Sequence, residues 1–260
     1  MRREQRFKEF NLSLSTEIIN PQLYLYQSLP STNEKAKELA FQGEEEGRVI
    51  LARLQTQGKG REDRRWYSPP GGLWFSIILR PHLKIEKVPA LGMVASIAVS
   101  RAVEGVIPLI TEFKWPNDIL INNRKFSGVL LEIETSLEKL DFVIIGIGIN
   151  VNQKSFPPYL PQATSLRIEI GERLSRLLLL KILLSEFDRA YSRFLRKGAS
   201  PFISEYKTRS IVLGRDIKIQ CGKELFSGKA VDISEEGSLI LKDFKGRRFH
   251  LPTGTIIGID

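Results

Sequence analysis

The chain has 260 residues, 42% of them apolar and 27% charged, enough to bury one large core beside a small second one. Its 39 basic residues outnumber 30 acidic ones, and the formal charge of +9 suits an anionic partner such as a nucleotide, an acidic protein surface or nucleic acid. Lys and Arg are scattered from Arg2 to Arg248 and form no single stripe, which argues against a DNA-binding face, and with one cysteine (Cys221) and two histidines (His82, His250) an internal disulfide, a cysteine-based zinc cluster or Ser-His-Asp chemistry is short of material.

From Met1 to Phe10 the N-terminus is basic but meets no long apolar stretch, so neither a secretory leader nor a membrane span is expected, and a cytoplasmic protein is. Ser31-Thr32-Asn33-Glu34 has the form of a capping box ahead of Ala36, Leu39 and Ala40 at helical spacing, with Gly43 to end the helix. Arg48 to Leu54 reads as a strand, Gln55 to Gly72 as a loop, and Leu73 to Leu79 as a second, buried strand. Leu91, Val94, Ala95, Ala98, Val99, Ala102 and Val103 predict an amphipathic helix opening at Pro89. Ile119 to Ile121, the Asn122-Asn123 turn and Phe126 to Glu134 predict a hairpin, and Phe142 to Val151 a further strand. Such short connections force antiparallel neighbours, so the sheet is mixed or antiparallel and not doubly wound. Leu174 to Leu195 predicts a long helix capped by Gly198, with Pro201 placed to start another. From Arg215 short β runs alternate with glycine turns (Ile217 to Ile219, Lys229 to Val231, Leu239 to Leu241, Phe249 to Leu251), the pattern of a small separate barrel. The fold class is therefore α+β, divided into an N-terminal extension (1–20), a catalytic unit (21–210) and a C-terminal barrel (211–260).

Three segments concentrate chemistry. Gln55 to Trp66 joins glycines, which let backbone N–H groups approach an anion, with Lys59, Arg61, Arg64 and Arg65 and an indole; it is not a P-loop, because no Gly-x-x-x-x-Gly-Lys-Ser/Thr occurs in the chain. Lys114-Trp115-Pro116-Asn117-Asp118 packs a cation, an indole, an amide and a carboxylate around a fixed turn, and Lys125 and Gly128 follow on the next strand. Gly146-Ile147-Gly148-Ile149-Asn150 lacks the third glycine and the helix of a dinucleotide fingerprint, and reads instead as a strand whose small residues admit a ligand. Singly, each has a plainer reading: a mobile basic loop, a tight turn with a core tryptophan, a solvated strand lysine.

In order and spacing, these segments resemble the biotin protein ligase family across nearly the whole chain, with Ser31-Thr32-Asn33, Gly58-Lys59-Gly60-Arg61, Lys114 to Asp118 and Gly146 to Asn150 standing at the family's motifs. The resemblance implies a mixed-sheet catalytic domain like that of class II aminoacyl-tRNA synthetases, followed by an SH3-like barrel. It implies Lys125 and Arg61 as catalytic residues; Ser31, Thr32, Asn33, Gln55, Gly58, Lys59, Gly60, Arg61, Lys125 and Gly128 around biotin; and Arg64, Trp66, Asn117 and Asn150 around the nucleotide. ATP would be the co-substrate, with Mg²⁺ near Asn117 and no protein-only metal site. Where more basic members of the family continue the loop with arginine and glycine, this chain has Glu62-Asp63, which puts phosphate contacts there in doubt. Only 30 residues precede Ser31, too few for the winged helix of members that double as repressors, so no DNA binding is expected.

The reaction so implied is activation of biotin as biotinyl-5′-AMP, with release of pyrophosphate, and transfer to a lysine of a biotin carboxyl carrier protein. It needs no protein nucleophile, in keeping with the shortage of His and Cys, but it must exclude water, and residues 58–66 have the composition of a loop that is mobile alone and orders over the intermediate. A lipoate or octanoate ligase is the alternative on a related fold. Edge strands of such a sheet can pair two subunits, so a homodimer is compatible with it.

Overall fold

The computed structural model describes residues 6–20 and 22–260; residues 1–5 of the expected N-terminal extension and Pro21 lie outside the described residues. Strands β1 (Arg6–Asn11), β2 (Gln22–Tyr26), β3 (Val49–Ala52), β4 (Leu73–Leu79), β5 (Glu112–Lys114), β6 (Asp118–Ile121), β7 (Arg124–Ser136) and β8 (Lys139–Ile149) form one sheet in the order β1-β2-β3-β4-β8-β7-β6-β5. Only β2 and β3 run parallel, joined by the crossover helix α1 (Thr32–Phe41) that such a pair requires. All other neighbours are antiparallel, as the short connections predict.

The sheet is covered on both faces, and this explains the lack of alternation in β4, in which every residue is buried. Leu73, Phe75, Ile77 and Leu79 face the main core with Val143, Ile145, Ile147 and Ile149 of β8. Helices α2 (Ala90–Glu104) and α4 (Arg176–Lys197) pack on that side. Ile78, Phe142 and Ile144 face the other way, against Ala36 and Ala40 of α1. By the same two-residue period Gly146 and Gly148 share the α1 face, where they leave the sheet bare.

Turn and cap chemistry act as the sequence predicts at the β6–β7 hairpin and at both ends of α4. Asn122 and Asn123 both take positive φ (51° and 59°), as a type I′ hairpin demands. Helix α4 starts at Ser175, whose hydroxyl accepts from Leu178 N, and stops at Gly198 with φ +66°. Pro201 lies in the first turn of α5 (Ser200–Thr208), and the short α3 (Leu166–Ile170) follows the segment after β8. The capping box does not form as such. Ser31 is the N-cap of α1, but its side chain makes no cap hydrogen bond, and Glu34 reaches Lys59 instead of folding back.

Beyond α5, β9 (Asp216–Cys221), β10 (Glu224–Ile233), β11 (Leu239–Lys242), β12 (Arg248–Leu251) and β13 (Thr255–Ile259) form a second, antiparallel sheet in the order β12-β11-β10-β9-β13. Its Ile217, Ile219, Leu239 and Leu241 belong to the main hydrophobic core, and Trp115 Nε1 donates to Gly237 O at 2.9 Å. The two sheets are therefore packed together. No helix among the described residues is long and apolar enough to cross a membrane.

Asp188 of α4 fastens the segment between β1 and β2. Its carboxylate, 4% exposed, accepts from the backbone N–H groups of Glu17, Ile18 and Ile19, each at 2.8 Å. Removing a charged acceptor from buried donors costs more than the bond itself contributes, so Asp188→Ala is expected to lose about 2–4 kcal/mol of stability. Urea unfolding of the two proteins measures this, and an unchanged midpoint would refute the anchoring role.

Candidate active site

A cavity of about 410 Å³ opens on the α1 face of the sheet, over the bare stretch of β8. Paired register explains its floor. Trp74 of β4, Gly148 of β8, Gly128 of β7 and Asp118 of β6 lie side by side across four strands, and Ser76 pairs with Gly146 in the next row. An added Cβ at Gly146 would stand 2.1 Å from Asn33 Oδ1, and one at Gly148 would stand 2.4 Å from Trp66 Nε1. Both positions need glycine because a side chain lies directly on the backbone.

One end of the cavity is a polar cluster at the start of α1. Ser31, Thr32 and Asn33 are all buried. Thr32 donates from N and Oγ1 to Gln55 Oε1 (2.7 and 3.1 Å), and Gln55 Nε2 donates to Ser68 Oγ at 2.8 Å. Ser76 Oγ donates to Asn33 Oδ1 at 2.6 Å and lies 2.8 Å from Thr32 Oγ1. These bonds fix Gln55 and Asn33 while leaving Asn33 Nδ2 buried without a partner.

Residues 58–66 form a finger across the opening. Trp66 N donates to Gly58 O (2.8 Å), Gly60 N donates to Arg64 O (2.6 Å), and Lys59 bridges Arg65. Gly58 sits at the base, where a Cβ would meet Trp66 O at 2.5 Å; alone among the predicted site residues it is not part of the cavity wall. Lys59 Nζ reaches Glu34 Oε1 at 2.8 Å, and this partner raises the ammonium pKa. Arg61 turns toward the second sheet, where it donates to Gly254 O (3.1 Å) and to the Thr253 hydroxyl; Arg64 Nη2 donates to Thr255 Oγ1 (2.5 Å). Burial lowers the Arg61 pKa from its usual value, but a guanidinium stays charged at any working pH.

Lys125 reaches the cavity through an irregularity. The β6–β7 register shifts between Ile119 and Leu120, whose partners are Ser127 and Lys125, so Phe126 is an extra residue. This bulge sends Phe126 into the main core and turns Lys125 the other way. Lys125 Nζ lies 2.5 Å from Asp118 Oδ1 and 4.9 Å from the centroid of the Trp66 ring. Asn117 is fixed by Nδ2 to Val129 O (2.8 Å), and Asn150 by Nδ2 to Thr164 O (3.0 Å), which leaves Asn150 Oδ1 buried without a partner. Trp66 Nε1 is a third such atom.

The wall carries Lys59, Arg61, Arg64, Arg65, Lys114 and Lys125 against one acid, Asp118. Six cations to one carboxylate, with three buried unpartnered polar atoms, suit an anionic ligand bearing both donors and acceptors. Among the described residues no group of three or more His, Cys, Asp or Glu gathers to hold a metal. Two stretches of wall escaped the sequence reading. One is the turn-rich segment with Phe156, Tyr159 and Ala163, tied to β7 by Lys125 N donating to Gln162 O at 2.8 Å; the other is Gly254 to Ile256 of the second sheet. The three prolines between Phe156 and Pro161 were the available signal for the first, as a structured loop following a ligand-facing strand. Asp118 lay inside a recognised motif, but only strand register shows that it meets Lys125.

Residues 25–150 match the model of the biotin/lipoate A/B protein ligase family. The bifunctional ligase/repressor BirA of Bacillus subtilis is 37% identical over 242 residues, covering 92% of this chain and 74% of that protein. A biotin--[acetyl-CoA-carboxylase] ligase of Paracoccus denitrificans is 30% identical over 224 residues, covering 84% and 93%. In fold, the chain is similar to the biotin protein ligase of Aquifex aeolicus solved in complex with biotin and ATP, with a TM-score of 0.80, 30% identity, and coverage of 90% of this chain and 97% of that one. With the site geometry and these similarities in agreement, the chain belongs to the biotin/lipoate A/B protein ligase family, as a biotin protein ligase.

Proposed function

We propose that this protein activates biotin with ATP to biotinyl-5′-AMP and passes the biotinyl group to a lysine of a biotin carboxyl carrier protein in the cytoplasm. The observation that carries the reading is one cation-lined cavity with a buried polar cluster over Gly146, the Trp66 indole over Gly148, and Lys125 against that indole. Biotin's ureido group offers two N–H donors and a carbonyl, which match the Ser31 hydroxyl, the Thr32–Gln55 pair and the free Asn33 amide. The nucleotide has its place beside Trp66, Arg64, Asn117 and Asn150, where Trp66 Nε1 and Asn150 Oδ1 await a donor–acceptor partner.

A carboxylate cannot acylate an amine because its leaving group would be oxide. Attack of the biotin carboxylate on the α-phosphorus forms the C–O–P anhydride and breaks the bond to pyrophosphate. Lys125 and Arg61 are the charges that stabilise the oxygens on which negative charge builds. Asp118 holds the Lys125 ammonium toward the cavity. Asn117 and Asp118 would hold the Mg²⁺ that accompanies ATP, since an ion that keeps several waters and binds largely through phosphates needs few protein oxygens. Bound there, it would supply further neutralisation of charge on the phosphate oxygens. In the second step the carrier amine forms the amide, the bond to AMP breaks, and the amine proton leaves to solvent.

Three outcomes test this. Incubation with ATP, Mg²⁺ and, separately, biotin, lipoate and octanoate, read by mass spectrometry, is expected to yield biotinyl-AMP alone; a lipoyl or octanoyl adenylate in its place would overturn the substrate and keep the chemistry. Lys125→Ala is expected to slow adenylate formation by about 10²–10³, and near-normal turnover in a folded variant would remove Lys125 from its role. Gly146→Ala drives a methyl into the Asn33 amide and is expected to weaken biotin binding about tenfold or more by calorimetry; unchanged affinity would place biotin elsewhere.

A further inference from the structure

The tip of the finger is built around two acidic residues in a conformation that L side chains avoid. Glu62 and Asp63 have φ of 53° and 58°. Contacts of the Glu62 side chain offset that cost. Its Oε2 accepts from the Thr255 hydroxyl at 2.6 Å and from Arg64 Nη2 at 3.0 Å, and its Oε1 lies 3.8 Å from Arg61 Nη2. The Thr255 hydrogen bond, with Arg64 and Arg61, holds the Glu62 carboxyl below its usual range, so it is ionised at neutral pH. Glu62 and Arg64 are half-exposed, at 48% and 55%, whereas Arg61 is 17% exposed and anchored behind by Gly254 O and Thr253. A half-exposed ion pair is weak enough to be exchanged for a better anion.

We propose that Glu62 is an affinity-setting residue for the nucleotide: its carboxylate is the built-in counter-ion of Arg61 and Arg64 and competes for them with the phosphate oxygens of ATP and of the acyl-adenylate. This rests on the functional reading above and goes beyond it, since it makes an acidic residue at the loop tip a determinant of phosphate affinity. A phosphate offers several charged oxygens to guanidinium forks, and a glutamate two, so the phosphate prevails when bound but must first displace Glu62. Thr255 shares in the exchange, because its hydroxyl and Arg64 hold the same carboxylate oxygen. Asp63 has the same charge and backbone conformation but makes no hydrogen bond to either arginine among the described residues, and so is the natural control.

The test is titration calorimetry of the full chain with inorganic pyrophosphate and with ATP, comparing wild type, Glu62→Gln and Asp63→Asn, each checked for folding by thermal unfolding. Glu62→Gln is expected to bind both ligands about two- to tenfold more tightly at low ionic strength, the worth of one or two exposed charge pairs. The gain should shrink as salt is raised, and biotin alone should bind all three proteins equally. Unchanged or weaker binding by Glu62→Gln, an equal gain from Asp63→Asn, or no measurable pyrophosphate binding by any of the three would overturn the proposal. Pyrophosphate reads the arginines whatever acid the enzyme activates. The expected order of affinities without biotinyl-AMP formation by wild type would therefore overturn the functional reading and leave this one standing.

Discussion

The site depends on the missing side chains of Gly128, Gly146 and Gly148. A sheet face crossed by α1 would ordinarily be filled, as it is at Ile78 and Ile144 one row away. Across the next two rows the covering layer is instead a polar amide and an indole lying directly on backbone, Asn33 over Gly146 and Trp66 over Gly148. Everything else follows from that depth. The indole lies low enough to share its ring face with the Lys125 ammonium. The Asn33 amide lies low enough to be clamped by Ser76 from the sheet itself.

Gathering six cations around such a floor raises a second problem, because like charges at this spacing repel in a partly desolvated space. The chain distributes the remedy among three elements. Asp118 of β6 pairs with Lys125, Glu34 of α1 with Lys59, and Glu62 of the finger with Arg64. Only the first acid lies on the sheet, opposite Gly128 by register, while the other two come from a helix and a loop. The least exposed of the three pairs, Lys125 with Asp118, thus sits on the sheet, and the more exposed pairs lie on the helix and the finger.

Much of this fold could be read from residue patterns because local chemistry was decisive there. The seven-residue apolar run of β4, the Asn122-Asn123 turn, and the Ser175 and Gly198 ends of α4 each carry their own signal. Strands β1, β2 and β5 did not, since β1 and β5 are sheet edges and the pattern of β2 depends on what packs over it. The site divides in the same way. Dense motifs marked the finger, the Lys114 to Asp118 turn and the glycine strand, yet the aim of Lys125 follows from a one-residue bulge that reverses side-chain parity. Strict alternation from Gly128 would have pointed Phe126 at the cavity and Lys125 at the core. The meeting of Arg61 with Thr253 and Gly254 joins residues 192 and 193 positions apart and has no local signature.

That last contact gives the second sheet a part in the cavity wall. Its strand β13 begins at Thr255, beside a Gly254 whose φ of 159° and close approach to Cys221 and Ile219 leave no room for a side chain. The turn presents a carbonyl and two hydroxyls to the finger's arginines. A finger tied only to its own sheet would set Arg61 by loop conformation alone. A finger that also rests on a turn of the second sheet has its guanidinium held by contacts from both sheets, and Trp115, reaching from the Lys114 to Asp118 motif to Gly237, ties the two sheets together at a second point. The small sheet thus acts as a support against which Arg61 and Arg64 are set.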